Sequence, residues 1–242
     1  MIILFVMAMK MEFTHLLSKF KSIVEKKIGI YTYYEAQHKD KTIYILHSAV
    51  GIINTSISLT KFLSLIKPDI IINAGTSGAH GKKLNVGDIV LGKEVIYMNS
   101  IETIFKEINE GSNSLDWKLK TFSEDEIKKD FIGDLNVLKG DKNLIEKIKK
   151  IGDEFGLTVY EGRIASGDIW NKEKDRIKFL NENYSSLCEE MEVYSVYTVC
   201  YQENIPCLGI KIISNNEMNG QKYDRNISEK LDEFLYKIIT DL

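Results

Sequence analysis

Between Pro68-Asp69 and a stretch of small residues lies Ile70-Ile71-Ile72-Asn73, three consecutive isoleucines closed by an asparagine. It reads as a short buried strand, and it fixes the kind of fold the rest of the chain must supply. It runs into Ala74-Gly75-Thr76-Ser77-Gly78-Ala79-His80-Gly81. Glycines and hydroxyls in such a loop let backbone N–H groups come close to a ligand, as anion- and sugar-binding loops require. No Gly-Lys-Ser/Thr follows, so it is not a Walker A loop, nor does it match a dinucleotide fingerprint. Taken alone, a tight turn is an equally good reading.

The same strand-then-polar arrangement recurs along the chain. Ile2–Ala8 reads as a buried strand, followed by an amphipathic helix over Glu12–Lys26 with Phe13, Leu16, Leu17, Phe20 and Ile23 on one face. Gly29–Gln37 and Thr42–Ser48 read as strands, Gly51–Ile66 as a helix and Val86–Leu91 as a strand. Residues 98–134 are polar and poorly patterned, a long excursion with room for one short helix and a candidate lid. Asn143–Phe155 reads as a helix, Thr158–Ala165 as a strand, Lys174–Asn181 as a helix, and Cys207–Ile213 as a last buried strand. The closing helix spans Asn226–Leu242, with Ser228 as its candidate cap. Strands alternating with helices, plus two or three extra strands, predict an α/β fold. It is a three-layer α/β/α arrangement around a central mixed, mostly parallel sheet. No repeat or linker divides residues 1–242, so one domain is expected.

Composition narrows the function classes. A formal net charge of -3 gives no basic footprint for nucleic acid. No apolar run approaches the roughly 18–20 residues that span a membrane, and Met1–Ala8 lacks the basic flank of a signal peptide. Cys188, Cys200 and Cys207 have no C-x-x-C spacing, and the histidines form no H-x-x-x-H pair. The reading is a cytoplasmic protein with reduced thiols and neither metal nor cofactor.

Near the end, Cys188-Glu189-Glu190-Met191-Glu192-Val193-Tyr194-Ser195 gathers three acids where an apolar helix begins. A solvated helix face spaces charges three or four apart, so at least one of these carboxylates should lie close to the interior, where it needs a partner. Acids complementing a helix start explain the cluster equally well. The tie breaks when the polar residues at predicted strand ends are taken together: Glu12, Thr76-Ser77, Ser166-Asp168-Trp170, Glu190-Glu192 and Ser214-Asn215. Polar groups at several strand ends of one sheet are how an α/β site is assembled.

In order and spacing, Ala8-Met9…Glu12, Lys67–Gly78, Val86-Gly87-Asp88-Ile89-Val90, Ser166-Gly167-Asp168, Glu190-Met191-Glu192 and Ile212-Ile213-Ser214 resemble the nucleoside phosphorylase/nucleosidase superfamily. Within it they are most similar to the methylthioadenosine/S-adenosylhomocysteine nucleosidases, over nearly the whole chain. Of the three acids, Glu190 is then a secondary candidate and Glu189 reads as a solvated cap; the resemblance implies that Glu12 positions the attacking water and that Glu192 with Met191 grips the ribose. It further implies that Met9, Thr76, Ser77, Gly78 and Ser214 line the sugar and base. Trp170 is placed to stack on the purine, the backbone of Asn171 to read its edge, and Asn215 to face N7. The implied partner is a small-molecule purine nucleoside, and the implied assembly a homodimer in which the 98–134 excursion completes a neighbour's site.

Three features depart from that pattern. The nucleosidases carry an Asp where this chain has Asn215, and an amide cannot hand a proton to N7. Its NH₂ and C=O do match O6 and protonated N7 of a 6-oxopurine, as in 6-oxopurine-specific members such as trimeric purine nucleoside phosphorylases. A preference for hypoxanthine- or guanine-type nucleosides, futalosine-like substrates included, is therefore the alternative expectation. Second, residues 98–134 lack the aromatic, Gly- and Pro-bearing segment that closes over a 5′ thioether. Third, Met7-Ala8-Met9-Lys10-Met11 has neither the Gly nor the Arg that phosphorylases bring to phosphate, which favours hydrolysis over phosphorolysis. A nucleoside-binding or storage protein with impaired catalysis is the reading of another class, and the presence of Glu12 speaks against it.

Overall fold

A computed structural model of the protein describes residues 1–121, 123 and 137–242. Within its sheet, β1 (Ile2–Met7) lies parallel to both neighbours, β4 (Lys41–His47) and β5 (Ile70–Ala79). Ile3, Phe5 and Met7 point into one core and Leu4 and Val6 into the other, the period of two that a strand imposes. With both faces buried, the strand has to be apolar throughout, as its sequence is.

Among the described residues, a ten-stranded sheet runs β11-β10-β6-β12-β5-β1-β4-β3-β2, with β9 (Leu138–Lys139) against β6. Here β2 is Ile23–Ile28, β3 Tyr31–His38, β6 Ile89–Tyr97, β10 Val159–Ser166, β11 Ser186–Glu190 and β12 Cys207–Asn215. Strands β4, β1, β5 and β12 run parallel, and β6, β10 and β11 form a second parallel group. The sheet curls until β11 returns to pair antiparallel with β5 at Gly78 and Ala79. One face is covered by α1 (Thr14–Ser18), α3 (Lys142–Glu154) and α6 (Ile227–Asp241). The other carries α2 (Ile52–Leu63) and α5 (Val193–Glu203), and α4 (Lys174–Tyr184) packs Leu180 on Ile96 and Ala165. The α/β architecture with a mixed central sheet is the one expected from the alternation of elements. No helix among the described residues is long and apolar enough to cross a membrane.

Four local expectations are corrected. Glu12–Lys26 is not one helix. A 3₁₀ turn over Lys10–Glu12 leads into α1, which ends at Ser18, and the chain then becomes edge strand β2, paired antiparallel with β3. The spacing of Phe13, Leu16 and Phe20 fits a helix, but the β-branched pair Ile23-Val24 belongs to the strand, which Gly29 (φ +60°) turns back. The second correction is that Ala74–Ala79 is a continuation of β5, with only the residues beyond it forming a loop. Third, Cys188–Glu190 is strand β11, and helix begins only at Val193. Fourth, Ser228 does not cap α6. Its hydroxyl donates to the carbonyl of Met11 at 3.2 Å and ties that helix to the turn carrying Glu12.

Within 98–134 the described part forms a small hairpin of β7 (Ile101–Glu102) and β8 (Lys118–Leu119), with a 3₁₀ turn over Ser114–Asp116. The remainder of that expected excursion, residues 122 and 124–134, lies outside the described residues.

Candidate active site

Strand ends β1, β5, β11 and β12 meet around a cleft of about 580 Å³. It gathers Met9, Glu12, Thr76, Ser77, Gly78, Trp170, Glu190, Met191, Glu192, Ser214 and Asn215, which are eleven of the twelve residues to which the resemblance gives a site role. Asn171 is not among the residues that line it.

Glu12 is buried and held from three sides. One oxygen, Oε1, accepts from the Thr76 backbone N–H (2.8 Å) and the Thr76 hydroxyl (2.9 Å), while Oε2 accepts from the Met9 N–H (3.1 Å). A carboxylate has about four lone-pair sites, so one on Oε2 is left for a further donor. Gly75 makes this possible, because a Cβ there would lie 2.9 Å from Oε1. Behind the turn, Asp232 of α6 accepts from the Leu16 N–H at 2.9 Å. Burial pushes its carboxyl up to about 8, the Leu16 bond opposing and the Glu12 charge adding.

The acidic triplet divides three ways. Glu190 pairs with Lys211 at 2.8 Å, both side chains fully buried, and accepts from the N–H groups of Glu192 (3.0 Å) and Val193 (2.9 Å). It is thus both an ion-pair partner and the cap of α5, which leaves it little capacity for a ligand. Burial pulls the Lys211 ammonium pKa down, but Glu190 and Glu192 outweigh that and hold it above its ordinary value. Glu192 accepts one bond, from Gly51 N–H at 2.9 Å, and turns its remaining sites to the cleft. Burial pushes its carboxyl up to about 8, Glu190 adding to the shift while Lys211 and the Gly51 bond oppose it.

Glu189 is the correction within the triplet. Far from being a solvated cap, it is 5% exposed and bonded to His80 Nε2 (2.9 Å) and to Asn171. Its Oε1 accepts the Asn171 backbone N–H at 2.8 Å and its Oε2 the Asn171 side-chain amide at 2.5 Å. That N–H, expected to read a base edge, is therefore already engaged.

The Ser166-Gly167-Asp168 motif positions the site without lining it. The Ser166 hydroxyl accepts from Tyr194 N–H (3.1 Å) at the start of α5, and Asp168 from Ile52 N–H (2.9 Å) at the start of α2. Carboxylate at a helix N-terminus satisfies an orphan donor and complements the dipole. Gly51 (φ +100°) is required there, since a Cβ would meet Asp168 Oδ1 at 2.8 Å. Beyond the motif, Trp170 stands half-exposed at the cleft mouth, its ring 5.9 Å from that of Tyr223.

On the far wall, Asn215 Oδ1 accepts from the Ser214 hydroxyl at 3.0 Å, and Nδ2 lies 3.5 Å from Glu217 Oε1. The amide orientation follows from that network, and a flip exchanges its donor and acceptor. Sequence reasoning missed Tyr223 and Arg225, which line the mouth from an unpatterned stretch, and also Met11, Val50 and Ile169. It also missed Lys211, whose signal was plain: a lysine inside the otherwise apolar Cys207–Ile213 run.

Residues 2–240 match the family model of the phosphorylase superfamily. A 5′-methylthioadenosine/S-adenosylhomocysteine nucleosidase of Buchnera aphidicola is 29% identical over 216 residues, 89% of this chain and 84% of that protein. One from Staphylococcus aureus is 29% identical over 209 residues, 86% and 83% of the two chains. Among solved structures, an Asp-to-Asn variant of the Helicobacter pylori MTAN with 5′-methylthioadenosine in the active site superposes with a TM-score of 0.83. It shares 22% identity, covering 99% of this chain and 98% of that one. Futalosine hydrolase of Helicobacter pylori also gives 0.83, at 21% identity over 100% and 98%. These likenesses establish the fold.

Proposed function

This chain belongs to the phosphorylase superfamily, and from that premise we propose that it is an N-glycosyl hydrolase that cleaves purine nucleosides. The observation that carries the reading is Glu12. It is a buried carboxylate fixed by three donors with one acceptor site still turned to the cleft, across from a second carboxylate, Glu192.

Breaking the C1′–N9 bond builds positive charge on the ribose and negative charge on the departing purine. Glu192 accepts from the ribose hydroxyls and, with Glu12, stabilises the cation. Met9 and Met191 supply apolar contact to the sugar. Glu12 orients a water toward C1′ and takes its proton as the C–O bond forms. Asn215 hydrogen-bonds the leaving purine at N7 but cannot protonate it, so the purine takes its proton from solvent. The related nucleosidases support hydrolysis, and the absence of Gly and Arg from Met7–Met11 supports it further. Release of free purine from a panel of methylthioadenosine, S-adenosylhomocysteine, adenosine, inosine, guanosine and futalosine tests the reading. No release from any member refutes it and leaves a nucleoside-binding protein.

Trp170 stacks on the base. Aromatic stacking is worth about 1–3 kcal/mol per base, so Trp170→Ala raises KM by roughly tenfold or more while kcat changes less. Steady-state kinetics on the best nucleoside checks this.

Glu192 sets a pH dependence of two opposite signs. Its carboxyl is raised from 4.5 to about 8, and that of Asp232 from 3.8 to about 8. Between those limits the folded protein holds more protons than the unfolded chain. The stability these groups contribute is full below pH 4 and is lost as pH rises through 8. Ribose hydroxyls, by contrast, favour the anion of Glu192, so binding near pH 7 releases a proton and affinity grows toward pH 8.5. The melting temperature should fall from pH 6 to 9 while nucleoside affinity, followed by calorimetry, rises over the same range.

The assembly proposed is a homodimer. Val50, Ile53 and Ile57 leave an exposed apolar stripe on and beside α2, next to the Gly51–Glu192 contact. Sedimentation velocity decides it.

A further inference from the structure

We propose that Glu189, anchored by His80 and Asn171, is the specificity-determining residue of the cleft and selects purines that carry a hydrogen on N1, the 6-oxopurines. The inference rests on the reading of the cleft as a purine nucleoside site.

The register of three strands places the residues that would meet the base. Gly78 of β5 pairs with Glu189 of β11 on one side and with Asn215 of β12 on the other. Neighbouring strands are about 4.8 Å apart, so Glu189 and Asn215 stand on the order of 10 Å apart, both opening into the cleft. Between them Gly78 has no side chain, and a Cβ there would already lie 3.3 Å from Asn215 Nδ2. The gap accommodates the edge of a flat heterocycle with a hydrogen bond at either end.

Asn215 does not by itself choose the base. One amide orientation donates to O6 and accepts from N7–H; the flipped one donates to N7 and accepts from a 6-amino group. The choice falls at N1, which is a bare lone pair in adenine and an N–H in a 6-oxopurine. Glu189 offers N1 an acceptor. Three of its roughly four lone-pair sites are filled, by Asn171 N–H, the Asn171 amide and His80 Nε2, and the fourth is on Oε1. The histidine fixes this arrangement. With the proton on Nε2, its Nδ1 accepts from the Ser186 hydroxyl at 2.7 Å, in a ring that is fully buried. The backbone N–H of Asn171 is likewise held by Glu189 and has no hydrogen left to offer a base. Adenine would thus set the lone pair of N1 against that of a carboxylate, whereas a 6-oxopurine donates its N1–H to it.

A site built to accept a particular N–H discriminates strongly against an analogue that lacks it. Calorimetric titration of the protein with hypoxanthine, 1-methylhypoxanthine and adenine tests this without any turnover. Hypoxanthine should bind at least about tenfold more tightly than either of the others. In Glu189→Gln, whose amide can also donate, the preference for hypoxanthine over adenine should shrink by at least about tenfold. Adenine binding as tightly as hypoxanthine, 1-methylhypoxanthine matching hypoxanthine, or an unchanged preference in the variant overturns the proposal. If the variant does not fold, the 1-methylhypoxanthine comparison on the native protein decides alone. The nucleosidase reading fails separately. Adenine-selective binding in a protein that releases purines sinks the Glu189 assignment only, while no purine release from any nucleoside of the panel sinks the nucleosidase reading.

Discussion

Glu12→Gln should lose about 10²–10⁴ in kcat while the protein keeps its fold. Glutamine preserves an oxygen for the Thr76 N–H and hydroxyl, so two of the three bonds that hold this side chain remain. It cannot accept a proton from water, and it brings an N–H toward Met9 N–H, which now donates to Oε2. The negative charge beneath the ribose also disappears. Single-turnover measurement of base release, with circular dichroism as the control for folding, checks both halves. A variant within threefold of the native rate would place the water-activating group elsewhere.

Lys211→Met should lower the stability of the fold by about 3–5 kcal/mol, the cost of leaving a buried charge without its partner. Glu190 and Lys211 are fully buried, with Glu192 and Glu12 near enough to raise the lysine further. Methionine fills the volume, which isolates the electrostatic loss from a cavity effect. Adding Glu190→Gln should recover part of the loss, because the amide still offers an oxygen to Val193 N–H at the start of α5 and no longer carries a charge. Urea denaturation of the single and double variants measures this. A single-variant loss below about 1 kcal/mol would contradict it.

The sheet and the site differed in how openly their residues announced them. Buried strands such as Ile2–Met7 and Ile70–Asn73 are apolar because both faces are covered, and that pattern needs no tertiary information. Edge strand β2 is harder: Ile23–Ile28 exposes most of its residues, so neither alternation nor burial marks it. The extension of β5 through Ala79 was hidden because Gly75 and Gly78 suggest a loop. They are glycines because Glu12 and Asn215 crowd them, a reason visible only once three strands lie side by side. Site residues were legible where a strand end turns into polar residues, as at Glu12, Thr76, Glu192 and Asn215. The three acids of Glu189-Glu190-Met191-Glu192 showed that a buried carboxylate was present but not which did what. That division depends on partners far away in sequence: His80, Lys211 and Gly51. Tyr223 and Arg225 come from a stretch with no periodicity and reach the cleft only through the way it packs, Asp224 N–H to Ser214 O at 2.8 Å among its ties.

The identity of the sugar product tests the central claim most directly. The protein is incubated with the nucleoside it cleaves best, with and without inorganic phosphate, and the sugar is identified by mass spectrometry. Free ribose, or its 5′-modified form, at a rate indifferent to phosphate is the result expected from a water held by Glu12. A sugar 1-phosphate formed only when phosphate is present would contradict it.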